Sequence, residues 1–315
     1  VITLALALAK SLFVSGKADE AHSVCEEFPS LETELLSIAH KLEDAKKISG
    51  DATAAKELKE LINLCDSSTN AEGIYGSSTY KDIWQEYTRR NLSKASKQSA
   101  DKAVSTLIAT AAEVKEANFD ASDLYKNLAD QISQLSYDQA YELEENTDYE
   151  NAIKYYEISV EYDSTRNLAD GRRILCLLKQ GTTGVVELKK EIDQVLGTVP
   201  RNIEKDIVYR YVLRALQEGH VVEATKLAEE KLRDNKLLDL CETYRLRMVQ
   251  SQINDFNEQL ALIRDKKMNY ADAKALHSDL DERLNQIVSV FPEYHHLVSE
   301  YKKAIFGYML KMAQK

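Results

Sequence analysis

The chain has 315 residues, a formal net charge of −11, and only 10 glycines and 3 prolines. A β-sheet protein of this length needs turn residues at intervals of about 8–12 positions. The scarcity of glycine and proline therefore argues against a β-rich fold and favours long helices. The acidic balance argues against nucleic acid as a partner, because phosphate contacts need clustered lysine and arginine.

The chain begins with an apolar stretch, VITLALALAKSLFV. A membrane-spanning helix needs about 20 apolar residues, and Lys10 interrupts this shorter stretch, so no membrane span is expected. We interpret it as a buried first helix, with a remnant of a targeting segment as the alternative. The chain starts without methionine, which suggests a fragment or a processed form. An intracellular location is expected, with the cytoplasm favoured over the ER lumen or another compartment.

Helical periodicity and breakers predict the elements in chain order. The first helices are predicted at 2–15, 19–28, 31–48 and 52–65, and a loop rich in serine and glycine follows at 66–78. Further helices are predicted at 79–91, 99–116, 122–135, 137–145, 149–162, 165–179, 185–196, 203–217 and 221–233. Three longer helices are predicted at 238–266, 270–290 and 293–311, where long uncapped helices indicate a hairpin or bundle.

These elements suggest four regions. Residues 1–66 are predicted to form helical hairpins and residues 67–78 a linker. Residues 79–235 are predicted to form a repeat region with its clearest units at 136–235, and residues 236–315 a C-terminal bundle. The fold class expected is an all-α solenoid of antiparallel helix hairpins with long C-terminal helices.

Turn residues recur at a regular spacing. Gly16 and Gly50 are 34 residues apart, as are Thr147 and Gly181, and Gly219 follows 38 residues after Gly181. A period of about 34 residues is typical of the tetratricopeptide repeat.

The residues around these turns resemble that family. The best match places small residues, a turn and aromatics at family positions: Ala140, Leu143, Thr147, Tyr149, Ala152 and Tyr156. A first unit matches through Leu8, Ala9, Leu12, Gly16 and Ala21, with Cys25 in place of the aromatic residue. A third matches through Tyr211, Gly219 and Ala224, with Ala228 in that place. No unit carries the tryptophan or the closing proline of the family, so the repeats are degenerate.

The resemblance implies a concave groove, lined by the first helix of each pair, that binds an extended peptide or a partner helix. Alignment by the turns places six residues in that groove: Tyr137, Tyr141, Glu145, Lys179, Tyr209 and Gln217. The alternative is that these are ordinary exposed helix residues. The implied function is a scaffold, adaptor or co-chaperone segment that binds a protein. A second hypothesis is a structural subunit whose C-terminal helices pack on other subunits.

A basic run interrupts the acidic chain. It consists of Arg89, Arg90, Lys94, Lys97 and Lys102. It is able to meet an acidic protein, a lipid headgroup or RNA, and the alternative is a solubilising helix face. RNA or lipid binding through this run is kept as a remote possibility.

We find no residue pattern for catalysis. His296 and Glu300 stand one turn apart on a predicted helix, but a metal site needs a third ligand. Gly181-Thr182-Thr183-Gly184 lacks the lysine of a phosphate-binding loop, so we interpret it as a turn between helices. The cysteines Cys25, Cys65, Cys176 and Cys241 lack close spacing and are expected to be buried thiols. We expect a protein that is not an enzyme, with no metal and no cofactor.

Overall fold

A computed structural model describes residues 1–119, 122–265 and 270–313. Helices account for most of these residues, and no β-strand occurs in the part of the chain that is described. The predicted all-α fold is confirmed. The chain divides into two compact units, Val1–Cys176 (unit 1) and Leu177–Lys315 (unit 2). Within each unit the helices pack mainly on near neighbours in the chain, as in an α-solenoid.

Unit 1 is a succession of helices, and the last one continues across the boundary with unit 2. The helices are α1 (Ile2–Val14), α2 (Ala18–Glu27), α3 (Leu31–Lys47), α4 (Asp51–Asp66), α5 (Ala71–Tyr75), α6 (Ser78–Ala95), α7 (Ala100–Glu116), α8 (Asp123–Glu145), α9 (Tyr149–Tyr162) and α10 (Asn167–Gln180). Short turns between packed neighbours such as α1 and α2 or α8 and α9 make these pairs antiparallel hairpins.

Unit 2 begins with shorter helices and ends with longer ones. They are α11 (Val185–Val195), α12 (Arg201–Gln217), α13 (Val221–Lys231), α14 (Asn235–Arg264), α15 (Tyr270–Val290) and α16 (His295–Ala313), with a 3-10 turn at Pro292–Tyr294. The three long helices pack on one another around Val249, Leu284, Phe291 and Val298. Residues 266–269 and 314–315, which the sequence assigned to this C-terminal region, lie outside the described residues.

The boundary between the units differs from the predicted regions. It falls after Cys176, inside the predicted repeat region 79–235 rather than at either of its ends. The predicted linker 67–78 holds the short helix α5, and Ile74 in that helix is fully buried. One hydrophobic core contains Ile74 together with Leu58 and Ile83, so the segment belongs to the core between α4 and α6. Because residues 67–78 are mostly polar, the sequence analysis interpreted them as a linker and missed the burial of Ile74.

The first long helix of the best-matching repeat is continuous. The sequence predicted two helices, 122–135 and 137–145, but α8 runs unbroken through Ser136. Ser136 and its neighbour in the helix, Ser133, are both fully buried. Serine is a weak helix former on its own, but here burial of the helix face on α9 outweighs that propensity.

Small residues allow the hairpin helices to approach each other closely. Ala140 on α8 and Ala152 on α9 are both fully buried. Nearby, Ser133 Oγ donates to the Ser159 carbonyl at 2.8 Å, and Ser159 Oγ donates to the Ser133 carbonyl at 2.9 Å. These reciprocal bonds satisfy hydroxyls that would otherwise be costly to bury. The small positions of the repeat pattern therefore lie at the helix–helix contact.

Several hairpin turns share one backbone conformation. Gly16, Thr147, Gly181 and Gly219 all have positive φ, at 75°, 62°, 78° and 88°. At Thr147 the next amide, Asp148 N–H, donates back to the Leu143 carbonyl at 2.9 Å, which closes a Schellman motif. Thr147 and Gly181, which are 34 residues apart, are therefore both left-handed turn residues.

The spacing from Gly16 to Gly50 has a different structural meaning. Gly50 has φ −91° and precedes α4 as its N-cap, so it is not a left-handed turn residue. The first 34-residue interval in the sequence therefore connects turns of unlike geometry.

Thr147 is a β-branched residue in the left-handed region, where the side chain crowds its own backbone. Replacing it with glycine is expected to raise the free energy of unfolding by about 0.5–1 kcal/mol, since relief of a strain of about 1–2 kcal/mol exceeds the added entropy of the unfolded chain. Urea denaturation followed by far-UV circular dichroism measures this change. Thr182→Gly, at a turn residue without positive φ, is the control and should not stabilise. A lower urea midpoint for Thr147→Gly than for the wild type would contradict the inference that the Thr147 backbone is strained.

Candidate protein-interaction surface

A buried polar cluster joins three consecutive helices of unit 1. Tyr156 on α9 is fully buried, and its hydroxyl donates to Glu144 Oε2 on α8 at 2.8 Å. Arg172 on α10 donates to the same oxygen at 3.0 Å. Burial, followed by the charge and hydrogen bond of Glu144, raises the pKa of Tyr156, so the phenol stays protonated. Burial opposes the charge of Arg172, but Glu144 outweighs it and the pKa of the guanidinium is raised.

Two of the predicted groove residues lie directly above this cluster. The guanidinium carbon of Arg172 lies 4.5 Å from the ring centroid of Tyr141, and Tyr141 as a residue is 38% exposed. One helical turn earlier, Tyr137 is half-buried, with the guanidinium of Arg166 5.8 Å from its ring centroid. We call Tyr137, Tyr141, Arg166 and Arg172 the Tyr–Arg face.

Neighbouring side chains of α8 and α9 fix the side chains of the Tyr–Arg face. The Tyr137 ring also meets the buried Tyr156 ring edge-on, with centroids 5.7 Å apart. Arg166 donates to Gln134 on α8 at 2.9 Å, and Arg172 is bonded to Glu144. Hydrogen bonds to α8 therefore orient both arginines while each guanidinium lies over a tyrosine ring. Side chains held in this way lose little conformational entropy on binding.

The remaining predicted groove residues lie elsewhere. Glu145 is exposed at the end of α8. Lys179, near the end of α10, is half-buried, while Tyr209 on α12 is 46% exposed and Gln217 at the end of α12 is exposed. These last three residues belong to unit 2, whereas Tyr137, Tyr141 and Glu145 belong to unit 1. Within unit 1, the structure joins Tyr137 and Tyr141 to arginines instead.

The two arginines were missed by the sequence analysis. Arg166 precedes α10 and Arg172 lies in its second turn, 25 and 31 residues after Tyr141. No local pattern links them to the tyrosines. The repeat pattern is the one sequence signal that could have found them. In a helical repeat the first helix of one unit packs near the first helix of the next, which places α10 near α8.

Unit 2 has a related buried tyrosine. Tyr211 on α12 is fully buried, and its hydroxyl donates to Glu223 on α13 at 3.2 Å. Burial and then Glu223 raise the pKa of this phenol. The predicted small positions Ala224 and Ala228 are also fully buried. The third repeat-like unit thus buries a large ring on its first helix and small residues on its second.

The Gly181–Gly184 segment is a turn between α10 and α11, as expected. Arg214 of α12 donates to the Thr183 carbonyl at 2.6 Å, and Glu218 accepts a hydrogen bond from the first amide of α11, Val185 N–H, at 3.0 Å. Arg214 and Glu218 also pair at 2.9 Å. The Glu218 carboxylate therefore already occupies the Val185 amide, a backbone donor of the kind that a phosphate at this helix start would need.

One member of the basic run, Arg90, is buried, and two others pair with acidic residues of the same unit. Arg90 is buried and donates to Glu86 at 2.7 Å, to Asp51 at 3.2 Å and to the Lys46 carbonyl at 2.7 Å. We call Arg90, Asp51 and Glu86, with the residues bonded to them, the Arg90 network. It connects the end of α3, the start of α4 and the middle of α6.

Two further members of the basic run pair with the same acids. Arg89 donates to both oxygens of Glu86, and Lys97 contacts Asp51 at 2.5 Å. Of the others, Lys94 is half-buried and Lys102 is exposed. Pairing within the chain reduces the charge that this run offers to a partner. Binding of RNA or lipid here stays an untested alternative.

The described residues hold no group of three or more histidine, cysteine or carboxylate side chains arranged for a metal ion. His296 and Glu300 form an exposed pair at 3.7 Å. All four cysteines are buried thiols, as expected. Among the described helices, none is both long and apolar enough to cross a membrane.

Comparison with known proteins adds little to this geometry. No family model matches the sequence, and no curated protein does. A solved circular tandem repeat protein with a novel repeat topology is similar at 14% identity and a TM-score of 0.23, over 99% of this chain and 77% of that one. A monomeric mutant of IFIT1 with Gppp-AAAA is similar at 16% identity and a TM-score of 0.22, over 96% of this chain and 61% of that one.

TM-scores this far below 0.5 carry no argument about fold or function. The packing of the chain itself identifies an all-α protein made of consecutive helix pairs, with features consistent with a helical tandem repeat.

Proposed function

We propose that the chain is a non-catalytic protein-interaction module, and that the Tyr–Arg face binds a peptide or helix of a partner. The observation that carries this proposal is the exposed Tyr141 ring beneath the oriented guanidinium of Arg172. Tyrosine and arginine are the residue types most enriched, with tryptophan, among those that dominate binding energy. Two Tyr–Arg pairs, whose tyrosines lie one turn apart on α8, suit an elongated ligand.

The chemistry of the face describes the ligand. Each Tyr–Arg pair offers the apolar edge of a tyrosine ring beside the N–H donors of a guanidinium. A peptide segment with an apolar side chain and a carbonyl or carboxylate oxygen matches this combination. We infer no catalysis, because the sequence offers no combined nucleophile, base and stabilising group. An intracellular location remains an expectation from the sequence.

The tetratricopeptide relationship belongs to the same proposal. It is supported by the buried small residues Ala140 and Ala152, the buried Tyr156, and the left-handed turn at Thr147. Scaffold, adaptor and co-chaperone roles are all compatible with it. The structural-subunit alternative is supported by exposed apolar side chains one turn apart on α16, Phe306 and Leu310, at 64% and 50%. Patches of this kind often mark contacts with another protein.

Substitution of Tyr141 and Tyr209 tests the interaction proposal. Affinity purification with quantitative mass spectrometry should show at least one partner depleted about tenfold by Tyr141→Ala with Tyr209→Ala, the loss expected when one aromatic anchor is removed. Leu8→Ala is the control, because Leu8 is an apolar residue that is 52% exposed and lies on α1, outside the Tyr–Arg face. Single variants then assign the loss to unit 1 or unit 2. Unchanged partners in the double variant would contradict the proposal.

A further inference from the structure

An aromatic cavity of about 480 Å³ lies in unit 1, between the end of α4, the start of α6 and the end of α7. Its aromatic lining consists of Tyr75, Tyr80, Trp84 and Phe119. None of these residues belongs to the Tyr–Arg face, so a ligand of the aromatic cavity is independent of the proposed function.

The four rings pack against one another as a cluster along one wall of the cavity. The Tyr80 centroid lies 5.0 Å from that of Tyr75, 6.4 Å from that of Trp84 and 6.1 Å from that of Phe119. Their planes meet at 48°, 82° and 33°. Tyr75 is 43% exposed and is the ring of this cluster that a ligand in the cavity reaches most readily, while Tyr80 and Trp84 pack behind it.

Carboxylates complete the lining of the aromatic cavity. Asp66 accepts a hydrogen bond from the Tyr80 hydroxyl at 3.2 Å, and Glu116 is an exposed lining residue. Glu113 accepts a hydrogen bond from the Tyr87 hydroxyl at 2.7 Å. The only cationic side chain among the lining residues described is Lys59. Three carboxylates against one ammonium make the cavity favourable for a further positive charge.

The Lys59 ammonium is paired with Glu113 and lies near the outer limit of cation–π distance from two rings. Its ammonium lies 5.9 Å from the Trp84 ring centroid, 6.0 Å from that of Tyr87, and 3.1 Å from Glu113. These distances are in the range of cation–π attraction. The Lys59 side chain is 37% exposed, so it can swing into solvent. Trp84 is only 2% exposed, and its indole Nε1 has no hydrogen-bond partner in the described structure.

We propose that the aromatic cavity binds a quaternary ammonium group, and that the Lys59 ammonium is the resident competitor that the ligand displaces. A primary ammonium holds its water tightly and needs hydrogen-bond acceptors around it. A quaternary ammonium has no N–H group, is weakly hydrated, and gains most of its binding from ring faces and nearby negative charge. Two sources share this chemistry, a small choline-like molecule and a trimethylated lysine of a peptide.

Fluorescence tests the proposal directly, because Trp84 is the single tryptophan of the chain. The full chain is titrated with tetramethylammonium chloride, with choline, and with peptides carrying trimethyllysine or unmodified lysine, at constant ionic strength. We expect a saturable change in Trp84 emission for the quaternary ligands. The neutral isostere of choline, 3,3-dimethylbutan-1-ol, and the unmodified peptide should give none. Tighter binding of choline or of the trimethyllysine peptide identifies the source.

Matched variants locate the bound cation. Tyr75→Ala removes an exposed ring and should weaken binding about fivefold to tenfold, the value of one cation–π contact. Tyr75→Phe keeps the ring and should retain binding, which separates loss of the ring from loss of folding. Lys59→Met removes the competing ammonium and should tighten binding several-fold. Tyr141→Ala, on the Tyr–Arg face, should leave the titration unchanged.

Three results would overturn the proposal. The first is the absence of a saturable emission change with both the wild type and Lys59→Met. The second is an equal response to the neutral alcohol, which would show an apolar cavity without charge recognition. The third is the same dissociation constant for the wild type and a folded Tyr75→Ala.

Discussion

Replacing Tyr156 with alanine is expected to lower the free energy of unfolding of unit 1 by about 4 kcal/mol, as in other large-to-small changes at fully buried aromatic positions. The loss combines burial of the ring with the hydrogen bond to Glu144 Oε2 at 2.8 Å. It also removes the support that the ring gives to Tyr137. Urea unfolding monitored by circular dichroism measures the change.

Two variants separate the parts of this effect. Tyr156→Phe keeps the ring and removes the hydroxyl, and should cost about 1–2 kcal/mol, because Glu144 retains its bond to Arg172. Tyr141→Ala removes a ring of similar size that is 38% exposed, and should cost less than about 1 kcal/mol. Equal losses for Tyr156→Ala and Tyr141→Ala would show that the cluster beneath the Tyr–Arg face does not hold α8, α9 and α10 together.

Replacing Arg90 with alanine is expected to lower the free energy of unfolding by about 3 kcal/mol, because it removes the buried guanidinium that bridges two largely buried carboxylates. The Arg90 side chain is 8% exposed and contacts Glu86, Asp51 and the Lys46 carbonyl. Arg89→Ala is a close control, since the neighbouring arginine binds the same Glu86 but is 60% exposed. That variant should lose less than about 1 kcal/mol.

Acid titration gives a second readout of the Arg90 network. Hydrogen bonds from Lys97 and Ser93 lower the pKa of Asp51, and hydrogen bonds from Arg89 and Arg90 lower that of Glu86. Their contribution to stability is complete above the pKa values of the unfolded chain, about 3.9 for aspartate and 4.3 for glutamate. It is lost as the pH falls below about 4 towards the folded-state values. Arg90→Ala should flatten this loss, and an unchanged acid slope would contradict the network.

Much of the α8–α9 hairpin could be predicted from the sequence. Thr147 marked the turn, Ala140 and Ala152 marked the close contact, and Tyr156 marked the buried ring. These features depend on residues within one hairpin, where helical periodicity and turn chemistry act locally. Ser136 misled the same approach, since a local propensity for ending a helix is weak beside the burial of a whole helix face.

The role of the charged residues could not be predicted in this way. The basic run was interpreted as a surface because its own segment is polar, but Arg90 bonds to Asp51, 39 residues before it. Likewise Arg172 lies 28 residues after Glu144, and its cation–π contact with Tyr141 arises only when α10 is placed beside α8. A charge is buried or exposed according to partners from distant segments, which no local pattern contains.

The aromatic cavity also separates what the sequence predicts locally from what tertiary packing determines. The amino-acid sequence shows many tyrosines and a single tryptophan, and its periodicity is sufficient to establish an all-α chain of helix pairs. Only the tertiary structure brings Tyr75, Trp84 and Phe119 from separate elements around one space with Lys59 and Glu113. Helix formation depends on near neighbours in the chain, whereas binding sites depend on side chains that packing brings together.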